Sequence, residues 1–233
     1  VCNHQNLAIK TDGSLYIWGN DAWGLHDNLS SGNDFVDISL GYWHAVAVRA
    51  DGSLVAWGDN DFGQTNAPSG NDFVDVTSGG TFNVAIRNDG SLHSWGTNTQ
   101  GTMQVPAGND YVAVEAGRYF TLALKSDGTV VAWGQNSEGC CDVPPGTYTA
   151  IAAGDRLAIA VRTDGSIAAW GKNYYGEADP PAGNDFVTVD AGYNHGLALR
   201  SDGSIVAWGQ SDWNKTNAPS GTGYTDIAAA QSH

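Results

Sequence analysis

Histidines, clustered acids and cysteines are the residue types in this sequence that could bind a metal or catalyse a reaction. When the repeated units described below are aligned, His44, His195 and His233 fall at one position of three neighbouring units. Neutral imidazole is a common metal ligand, but equivalent positions in adjacent units are expected to lie too far apart to share one ion. We therefore interpret these histidines as hydrogen-bonded to loop carbonyl groups.

The other candidate sites are also weak. The acidic stretch DNDFG at 59–63 has oxygen ligands of the kind that calcium prefers, but not a full set at a recognised spacing. Cys2, Cys140 and Cys141 have no metal-ligand spacing, which leaves incidental thiols or one vicinal Cys140–Cys141 bridge as alternatives. Because phosphate-binding, nucleophile-elbow and zincin motifs are also missing from the sequence, we predict no metal, no cofactor and no enzymatic activity.

Charge and composition restrict the classes of partner. The 233 residues include 10 Lys and Arg against 25 Asp and Glu, for a net charge of -15. Such a chain repels phosphate backbones, so we expect no binding to nucleic acid. No apolar run reaches the roughly 18–20 residues of a membrane helix, so we expect a soluble chain without membrane insertion. The 31 glycines and nine tryptophans favour turn-rich, aromatic-packed β-structure.

A short apolar run that ends in Trp-Gly is repeated along the chain, as in GSLVAWGD at 52–59 and GSIVAWGQ at 203–210. A period of about 40 residues is typical of propellers and solenoids, in which each unit packs on its neighbours. We therefore expect these tryptophans to pack between units. Their spacing is 37 to 39 residues, and they are Trp18, Trp57, Trp95, Trp133, Trp170 and Trp208.

Each unit has the pattern of three β-strands. In the last complete unit these are FVTVDAG at 186–192, GLALR at 196–200 and SIVAWG at 204–209, with an Asp-Gly turn before the third. Successive apolar residues require that both faces of a strand be covered, which sheets stacked around an axis achieve. An open β-solenoid with the same period is the alternative, but it would leave both ends uncapped.

The two ends of the sequence together supply one unit. YTDIAAAQSH at 224–233 aligns with FVTVDAGYNH at 186–195, and NLAIKTDGSLYIWG at 6–19 supplies a second and a third strand. We therefore predict a single all-β domain over residues 1–233, a six-bladed β-propeller closed by pairing of the N- and C-terminal strands. Closure would remove the exposed sheet edges that invite aggregation.

The segments AGYNHGLAL at 191–199 and ALRSDGSIVAWGQ at 198–210 resemble repeats of the regulator of chromosome condensation superfamily. The short units are most similar to its short-repeat bacterial branch, which includes β-lactamase inhibitory protein II. The resemblance implies a bacterial, secreted or extracytoplasmic propeller that binds a folded protein. The chain departs from these relatives in having six units where they generally have seven, and it has no counterpart of the wedge of GTPase exchange factors. We therefore do not expect exchange activity.

Basic residues fall into two groups. Six of them stand two positions before the Asp-Gly turns, and we interpret each as local charge balance for its turn aspartate. These six are Lys10, Arg49, Arg87, Lys125, Arg162 and Arg200. The remaining four, Arg118, Arg156, Lys172 and Lys215, lie in segments that differ from unit to unit.

In an antiparallel meander, the loops after the first and third strands lie on one side, which we name the loop face. The Asp-Gly turns lie on the opposite side, the turn face. Most non-repeated aromatic residues and all four remaining cations fall on the loop face. Large side chains could fold back to cap the blades, but capping would favour the same residue in every blade. We therefore predict a ligand-binding surface made of Trp23, Tyr42, Trp43, Phe62, Phe82, Arg118, Tyr119, Arg156, Tyr174, Tyr175, Tyr193 and Trp213.

Two kinds of partner fit such a surface. A folded protein is the partner that the family resemblance implies, for example an enzyme blocked by occlusion. A carbohydrate, stacked on Trp and Tyr in a lectin-like manner, is the alternative. Lectin propellers tend to repeat one pocket, whereas these loops differ between units. We therefore predict a non-catalytic binding module with a single, asymmetric protein partner.

Overall fold

The chain folds into antiparallel β-sheets. A computed structural model describes residues 5–19, 25–26 and 29–229. No helix in these ranges is long and apolar enough to cross a bilayer. The elements are β1 (Gln5–Ile9), β2 (Leu15–Gly19), β3 (Phe35–Leu40), β4 (His44–Arg49), β5 (Leu54–Gly58), β6 (Phe73–Ser78), β7 (Phe82–Arg87), β8 (Leu92–Gly96), β9 (Tyr111–Ala116), β10 (Phe120–Lys125), β11 (Val130–Gly134), β12 (Tyr148–Ala153), β13 (Leu157–Arg162), β14 (Ile167–Gly171), β15 (Phe186–Ala191), β16 (His195–Arg200), β17 (Ile205–Gly209) and the 3-10 helix η1 (Asp212–Asn214).

Each sheet is one blade of a propeller. Blade 1 contains β1 and β2, and blades 2 to 6 each contain three strands in chain order, from β3–β4–β5 to β15–β16–β17. The first strands of blades 2 to 6 contact one another in succession, which places them around the central axis. The β1 strand of blade 1 contacts β3 of blade 2. The predicted six-bladed β-propeller is confirmed.

The middle strand of a blade is its most buried part. In β4, the side chains from Ala45 to Val48 are fully buried. Neighbouring blades cover both faces, so that Phe120 and Leu122 of blade 4 pack with Ala160 and Trp170 of blade 5. This explains why the middle strands are apolar at successive positions rather than at alternate ones.

The repeated Trp-Gly pair joins each of blades 3 to 6 to the blade before it. The indole Nε1 of Trp170 donates to the backbone oxygen of Cys140 at 2.8 Å, and that of Trp208 donates to the oxygen of Glu177 at 2.9 Å. The expected packing between blades is confirmed for the buried tryptophans Trp57, Trp95, Trp133, Trp170 and Trp208. Gly171 has a φ of +101°, and a Cβ there would lie 2.5 Å from the backbone oxygen of Arg156. Only glycine fits this position.

The turn face is built from ion pairs and Asx turns. The carboxylate of Asp89 accepts hydrogen bonds from the backbone N and Oγ of Ser91, at 2.9 and 2.6 Å. Arg87 pairs instead with Asp72 at 2.7 Å and lies 4.5 Å from the Phe73 ring centroid. The interpretation that each cation balances its own turn aspartate is therefore wrong for Arg87. Its partner is the aspartate of the preceding Gly-Asn-Asp turn, because that carboxylate lies beside the end of the middle strand.

Carboxyl groups on the first strands link neighbouring blades near the axis. Asp37 Oδ2 accepts a hydrogen bond from the backbone N of Val76 at 2.9 Å, and Asp190 Oδ2 accepts one from Ala229 at 2.6 Å. Burial, together with the charge of Asp37, raises the pKa of Asp75 to about 7. Burial and the nearby charges of Asp190, Asp75 and Asp37 also raise the pKa of Glu115 well above its usual value. The inner strands are thus joined through acidic side chains, and burial raises the pKa of these carboxyl groups.

Blade 1 differs from the others. Its described part has two strands, and residues 224–229 are not in a strand, although Ala229 bonds to blade 6. Trp18 is 44% exposed, whereas its counterparts in the other blades are 6% to 8% exposed. Residues 1–4 and 230–233 lie outside the described residues. The predicted pairing of the N- and C-terminal strands is not seen in the described part of the chain and stays a prediction.

Candidate functional site

The two variable loops of each blade lie side by side. The backbone N of Lys172, after the third strand of blade 5, donates to the oxygen of Arg156, after the first strand, at 2.9 Å. Gln210 and Asn194 make the same bond in blade 6, also at 2.9 Å. The predicted placement of both loops on one face is confirmed.

A cluster of three side chains lies at the axial end of the loop face. Tyr42 of blade 2 donates its hydroxyl to Asp155 Oδ1 at 2.8 Å, and blade 5, which holds Asp155, is the opposite blade of the ring. Arg118 Nη1 lies 3.6 Å from the same carboxylate oxygen, and its guanidinium lies 5.0 Å from the Tyr42 ring centroid. We name Tyr42, Arg118 and Asp155 the axial cluster.

Burial keeps the Tyr42 phenol of the axial cluster protonated. Asp155 is only 2% exposed, so its charge requires partners. Burial and the Asp155 charge raise the pKa of Tyr42, so the phenol remains a hydrogen-bond donor. Tyr119 also lies beside Arg118, with 4.9 Å between its ring centroid and the guanidinium. The cluster therefore holds the inner loops of blades 2, 4 and 5 in fixed positions.

Arg156 connects the axial cluster to the outer loops. Its Nε lies 3.7 Å from Asp155 Oδ2, and its Nη1 lies 3.3 Å from Glu138 Oε1. The hydroxyl of Tyr174 also donates to Glu138, at 3.3 Å from Oε2. Blades 4 and 5 are thus joined by a chain of polar contacts that runs outward from the axis.

The ammonium group of Lys172 lies among three tyrosine rings. Its Nζ is 5.1 Å from the ring centroid of Tyr174, 5.7 Å from that of Tyr175 and 5.4 Å from that of Tyr193. It donates to Asn194 Oδ1 at 2.8 Å. Cation–π contacts of this kind stabilise a cation that is partly removed from water. We name Lys172, Tyr174, Tyr175, Tyr193 and Asn194 the Lys172 site.

Asn194 is itself fixed in orientation. It is buried, and its Nδ2 donates to Gln210 Oε1 at 2.8 Å. Gln210 Nε2 in turn donates to Asp212 Oδ2 at 2.8 Å. Because the amide nitrogen is engaged, the amide oxygen of Asn194 points to Lys172. The Lys172 site is therefore ordered by a hydrogen-bond chain across blades 5 and 6.

Five of the twelve predicted binding residues belong to these two groups, and Tyr119 and Arg156 adjoin the axial cluster. Trp43 makes an edge-to-face contact with Tyr42, at 6.1 Å between centroids, and Phe62 is exposed on the outer loop of blade 2. Trp23 lies outside the described residues. Trp213 belongs to η1, and its side chain is outside the described part. The members that the structure brings together are Tyr42, Arg118, Tyr119, Arg156, Tyr174, Tyr175 and Tyr193.

Phe82 does not belong to the predicted surface. It is 1% exposed and packs with Val84, Val114 and Trp133 between blades 3 and 4. The first residue of a middle strand faces the neighbouring blade, so its side chain enters the core rather than the loop face. The prediction of Phe82 as a ligand contact is corrected to a packing residue.

Polar partners were missed in the sequence-based selection of aromatic and basic residues. Glu138, Asp155, Asn194 and Gln210 fix the side chains that were selected. The pattern that could have indicated one of them is the adjacent pair Asp155-Arg156 in an inner loop. Opposite charges in such a short loop favour a local charge network.

The histidines at the aligned position are buried where the structure describes them. His44 is fully buried, and its Nε2 lies 2.7 Å from Asn83 Oδ1 in blade 3. Burial lowers its pKa to about 4, so the imidazole is neutral. The expected loop carbonyl is therefore wrong for His44, whose partner is a side-chain amide. His195 is also buried, and His233 lies outside the described residues.

The acidic stretch 59–63 and the adjacent cysteines were the other candidate sites. The Asp59 carboxylate in the stretch 59–63 accepts hydrogen bonds from Gln64 Nε2 at 2.8 Å and from the backbone N of Asp61 at 3.3 Å. In the described ranges no three His, Cys, Asp or Glu residues are grouped for a metal ion. Cys140 and Cys141 are free thiols, and burial raises the pKa of Cys140 to about 12. Cys2 is outside these ranges.

Known proteins share the repeat and the fold. The Regulator of chromosome condensation (RCC1) repeat matches residues 35–64, 73–102, 111–140, 148–177 and 186–212. No curated protein sequence matches the chain.

Three solved structures are similar in fold. The CRINKLY WD40 ectodomain of the Arabidopsis thaliana receptor kinase ACR4 has a TM-score of 0.76 and 21% identity, with 97% of this chain and 84% of that chain covered. Prp20p from Saccharomyces cerevisiae has a TM-score of 0.73 and 17% identity, with coverages of 90% and 70%. Yeast RCC1 (Prp20) bound to Kap60 has a TM-score of 0.74 and 16% identity, with coverages of 94% and 73%. With its repeats matched over most of their length, the chain belongs to the regulator of chromosome condensation (RCC1) repeat family.

Proposed function

We propose that this propeller is a non-catalytic binding module that recognises a folded protein through the loop face of blades 4 to 6. The observation that supports this most directly is the Lys172 site, where Tyr174 is 70% exposed and Tyr175 is 52% exposed beside a cation. Tyrosine and arginine are the residue types that most often dominate binding energy at protein interfaces.

Several side chains of this surface are held in fixed orientations, which favours binding. Lys172 is held by Asn194, and Arg156 is held by Asp155 and Glu138. Side chains that are already fixed lose little conformational entropy when a partner covers them. Tyrosine also offers a large contact area with few rotatable bonds. The surface is therefore prepared for a partner without rearrangement.

Differences between blades favour one asymmetric partner. Where the inner loop of blade 4 has Arg118 and Tyr119, that of blade 3 has Gly80 and Thr81. A lectin-like propeller with equivalent sugar pockets would repeat the same contact residues. Carbohydrate is therefore the second candidate, and it is tested beside the first.

The relatives support the same proposal. The structure of Prp20p was described with its binding properties to Gsp1p and histones, and yeast RCC1 (Prp20) was solved bound to Kap60. The short repeats support placing the chain in the bacterial branch of the family. On that basis we propose a secreted or extracytoplasmic protein whose binding could block an enzyme by covering its surface.

Affinity capture from an extract of the source organism tests this function. We expect wild type to retain a protein that the double variant Tyr174→Ser/Tyr175→Ser loses. The matched control is Val74→Ser/Val112→Ser, which removes two exposed apolar side chains from first strands. This control should retain the protein. Equal capture by both variants, or loss with the valine variant alone, would contradict the proposed surface. Selective binding on a glycan array would favour the carbohydrate alternative.

A further inference from the structure

The cations of blades 4 and 5 differ in their ionic partners. Arg118 pairs with Asp155, and Arg156 pairs with both Asp155 and Glu138. Lys172 forms no ion pair with any carboxylate of the described residues, and its hydrogen-bond acceptor is the neutral amide of Asn194. In a chain of net charge -15, a partly buried lysine without a carboxylate partner is unexpected.

Donor capacity remains at Lys172. An ammonium group has three N–H donors, and one of them is directed to Asn194. The three surrounding tyrosine rings stabilise the positive charge but accept no strong hydrogen bond. The group therefore has donors for an anionic ligand on its solvent side.

The charge of Lys172 differs from that of its neighbours. Arg118 and Arg156 are paired with Asp155 and Glu138, whereas Lys172 has no described carboxylate within ion-pair distance. Opposite charges across an interface improve specificity and association rate. A partner that covered the exposed tyrosines would also exclude water, and the stronger Coulombic attraction within the ion pair would then offset part of the cost of desolvating its charges.

We propose that the Lys172 site binds the carboxylate of an Asp or Glu side chain presented by the folded protein partner. This inference rests on the proposed function and names the chemistry of the contact. The carboxylate would accept hydrogen bonds from Nζ of Lys172 while its stem packs on the rings of Tyr175 and Tyr193. The hydrogen-bond chain from Asp212 through Gln210 to Asn194 would hold the ammonium in place.

A selection of synthetic binders provides the test. The probe is a displayed library of a small folded domain with randomised loops, selected on the full chain. Among the binders that lose affinity for the Tyr174→Ser/Tyr175→Ser variant, we expect an Asp or Glu that is essential for binding. Lys172→Met should weaken such binders about tenfold or more, as should replacing their acid by Asn or Gln. The matched control Lys215→Met changes the net charge equally on the loop face of blade 6, and it should change affinity less than about twofold.

A double-mutant cycle shows whether the two groups interact directly. We expect Lys172→Met to bind the neutralised binder no more weakly than either single change weakens binding. Lys172→Gln keeps a polar side chain, and melting curves of both variants would exclude misfolding as the cause.

The two proposals fail differently. Loop-face binders that lack an acid, or that show no coupling to Lys172, overturn the carboxylate site and leave the binding face intact. A selection that yields binders only to the turn face, or none, overturns both. Binding of acidic sugars with loss on Lys172→Met, but no acid-dependent protein binder, would assign the site to carbohydrate instead.

Discussion

At the scale of single residues, the loop face depends on one buried carboxylate, Asp155. Tyr42, Arg118 and Arg156 all contact it, and they come from three different blades. A buried charge is tolerated when several donors satisfy it, and these donors are then fixed in place. Tyr42 and Arg118 were predicted as ligand contacts, and the structure gives them an internal role in ordering the face.

Removing the Tyr42 hydroxyl measures the contact across the axis. We expect Tyr42→Phe to lower the free energy of unfolding by about 1–3 kcal/mol, because the buried Asp155 carboxylate loses a donor. Urea denaturation would measure the change. Tyr16→Phe, at an exposed tyrosine of blade 1, is the control and should change stability by less than about 0.5 kcal/mol. Equal effects of the two substitutions would show that the bond to Asp155 contributes nothing.

The sequence predicts the residue types on the loop face but not their pairing. Tyrosines and cations can be assigned to a side of the sheet because strands alternate in direction along the chain. Tyr42 and Asp155, however, are 113 positions apart and meet only when the blades form a ring. The prediction for Phe82 was wrong for a related reason. A shift of one residue in where a strand begins decides whether a side chain lies in the loop or in the core.

At the scale of elements, the Trp-Gly pair connects neighbouring blades. Its indole reaches a carbonyl in the preceding outer loop, and the glycine allows the inner loop to approach. The period of the tryptophans is visible in the sequence, and blades 3 to 6 repeat the same contact. The position of the accepting carbonyl is not visible, because it depends on how adjacent blades are stacked.

Two tryptophans of the same repeated position provide a matched comparison. Trp170→Phe should lower the free energy of unfolding by about 2–4 kcal/mol, through a cavity and an unsatisfied oxygen at Cys140. Trp18→Phe should cost less than about 1 kcal/mol, because Trp18 is largely exposed. Thermal or urea unfolding would measure both. A larger loss for Trp18→Phe would contradict the exposed position of Trp18.

Glycines at the ends of the first strands set how closely the blades approach near the axis. A Cβ on Gly154 would lie 2.1 Å from the backbone oxygen of Gly192 in the next blade. We expect Gly154→Ala to destabilise the fold by about 3 kcal/mol or more, since neither backbone can move without shifting a blade. Urea unfolding would test this. A variant as stable as wild type would mean that the inner loops are farther apart than described.

At the scale of the whole molecule, the ring concentrates acidic groups near its axis. Six similar units could be counted from the sequence, so the propeller was predictable. The inward direction of the carboxyl groups on the first strands was not, because alternation places these groups on one face of a strand without showing which face meets the axis. Asp37, Asp75 and Glu115 come from successive blades, and each has a raised pKa.

These raised pKa values make stability depend on pH in a defined direction. The carboxyl of Asp75 has a pKa of about 7 when folded, against its usual 3.8. Between these values the folded chain holds a proton that the unfolded chain has released. The contribution of Asp75 to the free energy of unfolding therefore falls as the pH rises from about 4 to about 7. His44 acts oppositely, because its lowered pKa adds stability as the pH rises from about 4 to 6.5.

Comparing Asp75→Asn with wild type isolates the carboxyl from His44, which both proteins share. In the folded state the two side chains are both largely neutral at pH 5, whereas at pH 8 only the wild type must either keep a buried charge or take up a proton on folding. We expect the stability of Asp75→Asn relative to wild type to rise by about 1–3 kcal/mol between pH 5 and pH 8, measured by urea unfolding. A constant difference across this range would show that the Asp75 carboxyl ionises as freely in the folded ring as in the unfolded chain.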